Sequence, residues 1–197
     1  PVEMFVNTRR MPRLEPSDRL ESDVVVLERA RPSHIDSFHA AIESSHPELH
    51  AFMDWASGDT PQTHQVTLDV LATWQVMWRE RREFNFVMTD PDSAEVIGGC
   101  GLMTRQGPGR LEIGYWVRSD RAGSGIATQA ARLLTEVSLD IETIDIAQIR
   151  HDAANVASGR VAEKLGYTET ERRDVEVDTP GEAGVEVIWE ITQSDWL

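Results

Sequence analysis

The chain has one cysteine and one lysine among its 197 residues, Cys100 and Lys164. A lone cysteine forms no internal disulfide, which fits a reducing compartment and an expected cytoplasmic location. Cys100 lies in the apolar run from Val96 to Met103 and reads as a small buried hydrophobe, not a nucleophile. No run of ~18 apolar residues is present, and the N-terminus lacks a basic-then-apolar leader pattern, so no membrane partner is expected. Basic residues number 19 against 34 acidic ones, a net charge of −15. That balance leaves no basic face for nucleic acid, and no nucleic-acid partner is expected. It suits a cationic acceptor such as an amine or a basic peptide, although acidity also simply keeps a protein soluble. With 197 residues, 40% hydrophobic and 27% charged, the chain reads as one globular domain, and the order of its elements, a meander and then β-α-β-α-β, as α/β.

Periodicity divides the chain. Residues 1–22 read as an irregular arm, and residues 23–197 as the folded domain. Val24 to Leu27 opens the first strand, and a helix carrying Ile35, Phe38, Ala41 and Ile42 starts at Pro32 or Ser33. Residues 44–58 read as irregular or as a short helix. Thr60-Pro61 looks like a helix start, a capping residue followed by proline. Val66, Val70, Leu71, Trp74, Met77 and Trp78 then make a stripe ending near Arg82, core or acceptor-pocket wall. Three strands are expected at about 84–89, 95–106 and 110–118, joined by short turns into an antiparallel meander. A helix to about residue 139, a strand at 144–149 and a helix from Asn155 to Leu165 follow. Asn155 is the expected N-cap and Gly166 the expected C-terminal glycine. Strands near 168–177 and 184–192 close the sheet.

The most informative segment runs from Leu111 to Ala127. A strand alternates through Leu111, Ile113, Tyr115 and Val117, turns at Arg121-Ala122-Gly123-Ser124-Gly125, and enters a helix. Backbone N–H groups at a helix start lack internal partners and face whatever lies in front, which makes an anion site. Three glycine arrangements compete for it. A P-loop needs G-x4-G-K-[ST], which is absent. A dinucleotide fingerprint needs a third glycine where Thr128 stands, after a strand that opens a βαβ unit. The third arrangement is [QR]-x-x-G-x-[GA], matched here by Gly125 and the final small residue Ala127, but with Ala122 at the first position and Arg121 one place earlier.

Downstream, Asn155-Val-Ala-Ser158 leads into Lys164-Leu-Gly-Tyr167. Together these segments, with Glu112-Ile-Gly-Tyr-Trp-Val, resemble the GNAT acyl-CoA N-acyltransferases, in particular the RimJ/RimL-like branch of ribosomal-protein N-terminal acetyltransferases. The resemblance covers residues 95–168 best, is weaker at 24–43, and is absent from the first 22. It implies a single mixed, mostly antiparallel sheet with splayed parallel strands 4 and 5, here 110–118 and 144–150, flanked by helices.

The resemblance also implies acetyl-CoA, or another acyl-CoA, as co-substrate. Its pantetheine arm would pair with Trp116, Val117 and Arg118, and its diphosphate would sit on Ala122, Gly123, Ser124, Gly125, Ile126 and Ala127. Arg118, Arg121 and Arg160 are candidates for phosphate contacts, or else exposed surface charges. Ser158 is the candidate acid for the CoA thiolate, with Asn155 orienting the cofactor amide. The family's frequent tyrosine acid falls at Ala162 here. Glu112 is the candidate general base, acting through water, or else a solvated strand glutamate. Tyr167 is an expected core aromatic. His46 and His50 lack a zinc-protease pattern, and no metal is expected. The implied reaction is direct acetyl transfer to a primary amine of a protein N-terminus, without a covalent enzyme intermediate. Small-amine acetylation, succinyl transfer and a non-catalytic acyl-CoA-binding module are the alternatives. The last hairpin and Trp196 offer a surface for a homodimer.

Overall fold

A computed structural model of the chain describes residues 15–56 and 58–196. Alternating side chains form eight strands: β1 (Arg19–Glu21), β2 (Val26–Arg29), β3 (Glu83–Thr89), β4 (Val96–Met103), β5 (Arg110–Val117), β6 (Ile146–Asp152), β7 (Thr168–Asp174) and β8 (Val185–Thr192). The helices are α1 (Ile35–Phe52), α2 (His64–Arg79), α3 (Ile126–Leu139), α4 (Val156–Lys164) and the short α5 (Gln193–Trp196). One sheet contains all the strands, in the order β1-β2-β3-β4-β5-β6-β8-β7. Its neighbours are antiparallel except β5 and β6, which are parallel. This is the mixed α/β sheet implied by the resemblance. The extra first strand makes the expected strands 4 and 5 into β5 and β6.

The parallel pair is short. It runs from Arg110↔Ile146 to Ile113↔Ile149, and there it stops. On its other edge β5 stays paired to β4 as far as Val117. The segment from Gly114 to Val117 therefore borders a gap, with backbone groups open to another extended chain.

Each face of the sheet has its own core. Leu111 and Ile113 pack with Ala130, Ala131 and Leu134 of α3 and Val161 and Ala162 of α4. Burying one such Leu or Ile side chain contributes ~1.5–3 kcal/mol. Cys100 joins this core as expected, and burial pushes its thiol up, so it stays protonated. Tyr167 is also buried here, its hydroxyl 2.7 Å from Thr135 Oγ1. On the opposite face α1 lies over β4 and α2 over β3, burying Phe38, Ala41, Ile42, Leu71 and Val87. The same face of β5, β6 and β8 lies beyond these two helices. It carries Glu112, Gln148, Arg150 and Glu190, and a polar cavity opens on it.

Three local expectations are corrected. Part of the stretch read as an irregular arm is strand β1, fixed to β2 by backbone pairing and by an Arg19–Glu28 ion pair of 2.8 Å. Residues 1–14 of that arm lie outside the described residues. Second, α1 continues through Pro47 to Phe52, where irregular chain or a short separate helix was expected. Proline removes one helical hydrogen bond. Buried Ser45, His46 and Leu49, and Ser45 Oγ accepting the Ser119 N–H at 3.0 Å, hold the helix together across it. Third, α2 begins at His64 and not at Thr60-Pro61, because Thr63 Oγ1 caps the Val66 N–H. Leu71 and Trp78 of its stripe are core, whereas Val66 is exposed. Among the described residues no helix is long and apolar enough to cross a membrane.

Candidate active site

The turn after β5 is shaped by two glycines in the left-handed region, Gly123 at φ +78° and Gly125 at φ +86°. A residue with a Cβ costs about 1–2 kcal/mol there. The first bond of α3 runs from the Gln129 N–H to Gly125 O at 3.0 Å. The N–H groups of residues 123–128 make no hydrogen bond among the described residues. No acidic side chain stands in the first turn of α3 to occupy them. A Cβ built on either glycine would meet nothing within 4 Å, so the space in front is open. Ser124 Oγ donates to Arg121 O at 2.5 Å and pins the bend. Ile126 is buried and anchors the helix, while Ala122 is exposed and Ala127 half-buried. These groups make an anion cradle.

The nearby arginines have partners of their own. Arg118 Nε lies 2.6 Å from Asp120, and Arg121 lies 3.4 Å from Asp90. Either would have to leave its carboxylate to reach an anion at the turn. Arg160 is exposed on α4.

Beside the turn lies the gap along Gly114, Tyr115, Trp116 and Val117. Asn155 caps α4, its side-chain oxygen accepting the Ser158 N–H at 3.2 Å. Ser158 Oγ lies 3.0 Å from the Tyr115 hydroxyl, which also donates to Ser158 O at 3.2 Å. Burial pushes the Tyr115 phenol up to about 12, against the opposing pull of its Ser158 hydrogen bond. Tyr115 therefore stays a neutral donor over the physiological range. Alternation along β5 marked this tyrosine only as inward-facing. Its partner is 43 residues away, and no local pattern announces such a contact. Ala162 is fully buried, with no hydroxyl to offer.

Glu112 stands on the other face of the sheet, two residues before the gap. It is 5% exposed, so it is not a solvated strand glutamate. Arg105 donates to it through Nε at 3.0 Å and through Nη2, and Gln106 donates through Nε2. Arg105 and Gln106, both from the β4–β5 connection, are partners that sequence reasoning missed. The structure thus gathers the turn, the gap, Asn155 and Ser158 at the C-terminal ends of β5 and β6. Glu112 lies across the sheet from Ser158. Trp116 on the Glu112 side packs against Trp55 with ring centroids 6.1 Å apart. On α1 the His46 and His50 rings stack at 5.7 Å.

One further residue holds this end of the sheet together. Asp152, the last residue of β6, accepts from the N–H groups of Ala154 (2.8 Å), Ala183 (2.8 Å), Gly184 (2.9 Å) and Val185 (3.1 Å). Burial works to raise its pKa, but these four donors outweigh it and hold the carboxyl below the usual aspartate range. A depressed pKa means stability that is full above the unfolded value and lost as pH falls through the folded one. Asp152→Ala is expected to cost about 1–2 kcal/mol at pH 7, less than full loss because solvent reaches this half-exposed site. Melting curves of both proteins at neutral and strongly acidic pH check this. The difference should shrink in acid, and an equal difference at both pH values would contradict a charged clamp.

Residues 25–168 match the family model described as "Acetyltransferase (GNAT) domain". The uncharacterized protein YkkB of Bacillus subtilis (strain 168) is 31% identical over 107 residues, 50% of this chain and 62% of that protein. The chain therefore matches somewhat under two thirds of this curated relative's length. Among solved structures, the microcin C7 self-immunity acetyltransferase MccE, in complex with acetyl-CoA and AMP, superposes with a TM-score of 0.78 at 15% identity, covering 87% of this chain and 93% of that one. RimL, the ribosomal L7/L12 alpha-N-protein acetyltransferase in complex with coenzyme A, superposes with a TM-score of 0.75 at 18% identity, covering 87% and 95%. At these identities the superpositions establish the shared fold.

Proposed function

Since the chain belongs to the GNAT acetyltransferase family, we propose that it transfers an acetyl group from acetyl-CoA to the N-terminal amine of a protein. The observation that carries this reading is the row of unpartnered N–H groups at residues 123–128, opening beside the unpaired edge of β5. A bound acyl-CoA supplies a thioester carbonyl to the attacking amine and a thiol as leaving group. In this assignment the N–H groups from Gly123 to Ala127 hold the diphosphate, and the gap-facing backbone at Trp116 and Val117 pairs with the pantetheine arm; the Arg118 N–H, expected to join it, already donates to Ile97 O at 2.8 Å. A backbone N–H near Trp116 or Val117 faces the carbonyl oxygen as it gains charge, and a fixed dipole needs no reorganisation to do so.

Two side chains move protons. Glu112, held by Arg105 and Gln106, takes the proton of the attacking amine through a water. Ser158, whose Oγ–H meets the Tyr115 oxygen while the Tyr115 hydroxyl donates to Ser158 O, turns that hydrogen to the departing sulfur and gives it the proton, and Asn155 holds the Ser158 backbone N–H. Glu112 passes the amine's proton to solvent and solvent restores the Ser158 hydroxyl, so one proton leaves nitrogen, one reaches sulfur, and no covalent enzyme intermediate is needed. RimL, a structural neighbour, is described as acting on a ribosomal protein N-terminus, and that supports the choice of acceptor.

Thiol release from acetyl-CoA over a panel of peptides, polyamines, aminoglycosides and amino acids tests the reading, with succinyl-CoA as a second donor. Release with peptides is expected. Release only with small amines, only from succinyl-CoA, or not at all would overturn it. For the base, Glu112→Gln should lower kcat/KM about 100-fold at pH 7 and recover above the ~8 of an α-amino group, where the amine is already neutral. A defect of constant size across that range would remove Glu112 from the role.

A further inference from the structure

Three glycines stand on the sheet face that carries Glu112: Gly99 and Gly101 of β4 and Gly114 of β5. The register sets Gly101 directly opposite Gly114, so the floor of the sheet is hollow there. Each glycine is covered by a neighbour. The Trp116 indole lies over Gly99, where a Cβ would come 2.8 Å from its Nε1, and Phe38 packs on that ring with centroids 5.7 Å apart. The Asn85 carboxamide lies over Gly101, and its Nδ2 donates to Glu83 at 3.1 Å.

Gly114 has a different cover. A Cβ there would lie 3.0 Å from the Met103 methyl carbon and 3.9 Å from its sulfur. Chain neighbours aside, it would meet no other atom within 4 Å among the described residues. Met103 faces Glu112 across the β4–β5 pair and leans diagonally, so its tip ends on this face between Glu112 and Trp116. An unbranched thioether holds that place by packing alone. Gly114 is also the first residue of β5 beyond the parallel pair, which ends at Ile113↔Ile149. The gap is therefore blind at this point. A pantetheine arm that enters from the turn at 123–127 and pairs with Trp116 and Val117 carries its acyl group toward Gly114.

We propose that Met103 sets the size of the acyl group that is transferred: its methyl closes the hollow over Gly114, so acetyl fits and longer chains do not. The assignment rests on the acetyl-transfer reading for where the thioester lies. The chemistry is the same for every donor. The amine nitrogen bonds to the acyl carbon, the carbon–sulfur bond breaks, one proton leaves nitrogen and one reaches sulfur. Only the chain beyond the carbonyl changes length, and that chain ends against Met103. Trp116 and Asn85 are tied to Phe38 and Glu83, so Met103 is the cover that one substitution removes.

Thiol release from acetyl-, propionyl- and butyryl-CoA with one acceptor peptide, and calorimetric titration of the same three thioesters, test the proposal. In the unaltered protein propionyl-CoA should be roughly 10- to 200-fold poorer than acetyl-CoA in kcat/KM, the range that one surplus methylene produces in a closed pocket. Met103→Ala should bring propionyl- and butyryl-CoA to within a few-fold of acetyl-CoA. Met103→Val, shorter than methionine and suited to a strand, should do the same and takes its place if a melting curve shows the alanine variant unfolded. Gly114→Ala in the Met103→Ala protein refills the hollow and should restore the preference for acetyl. A merely structural role for Met103 would lower all three donors alike and leave their ratio unchanged. Equal use of the three thioesters by the unaltered protein, or a ratio that neither truncation changes, would overturn the proposal. The failures separate. Butyryl-CoA binding that strengthens relative to acetyl-CoA in Met103→Ala, without thiol release from any donor, defeats the acetyl-transfer reading alone. Thiol release with a ratio that survives both truncations defeats the Met103 assignment alone, and no binding of any thioester defeats both.

Discussion

Gly123→Ala combined with Gly125→Ala is expected to weaken CoA binding by roughly 30- to 1000-fold. Both residues sit at positive φ, +78° and +86°, where each Cβ costs about 1–2 kcal/mol. Together that is about 2–4 kcal/mol, at 1.4 kcal/mol per factor of ten. The loss should fall on binding more than on folding. Residues 122–125 are exposed, so the bend can relax without disturbing the core beneath Ile126. A relaxed bend rotates its N–H groups away from their common focus. Calorimetry with CoA and a thermal melt check both halves: a large change in Kd with a Tm shift of a few degrees. Unchanged CoA affinity would mean that the bend holds no phosphate.

Ser158→Ala should lower kcat by about 100-fold while leaving CoA affinity within a few-fold of the original. General acid catalysis contributes about 10²–10⁴-fold in rate. Removing one hydroxyl leaves the α4 cap intact, because Asn155 bonds the backbone N–H of residue 158 and not its side chain. Tyr115→Phe should cost less, about 10-fold, since it frees the serine hydroxyl without deleting it. With the Tyr115 phenol pushed up to about 12, no limb from its ionisation should enter the pH–rate profile below about pH 11. Single-turnover rates and CoA titrations separate chemistry from binding. An unchanged rate in Ser158→Ala would place the proton donor elsewhere.

The parts of this site that were legible in the sequence are those with a backbone cause. Gly123 and Gly125 mark a bend because few other residues adopt its angles, and the period of α3 follows directly. Asn155 was readable as a cap because its side chain suits that one position. The meander followed from alternation and its two turns. What was not legible depends on contacts across space. Arg105 reaches Glu112 seven residues further along the chain, and Tyr115 reaches Ser158 across 43. Neither distance has a period. Helix α1 passes Pro47 because Ser45 and Leu49 are buried against other elements, and packing outweighs local preference there. Strand β1 has one inward residue, Leu20, too little for alternation to register.

The most direct measurement compares coenzyme A with pantetheine, its fragment lacking the diphosphate and the nucleotide, in calorimetric titrations of the unaltered protein. If free amide hydrogens ahead of α3 grip the diphosphate, CoA binds one to one and pantetheine at least about 100-fold more weakly. No heat with CoA, or equal affinity for the two, would contradict the account.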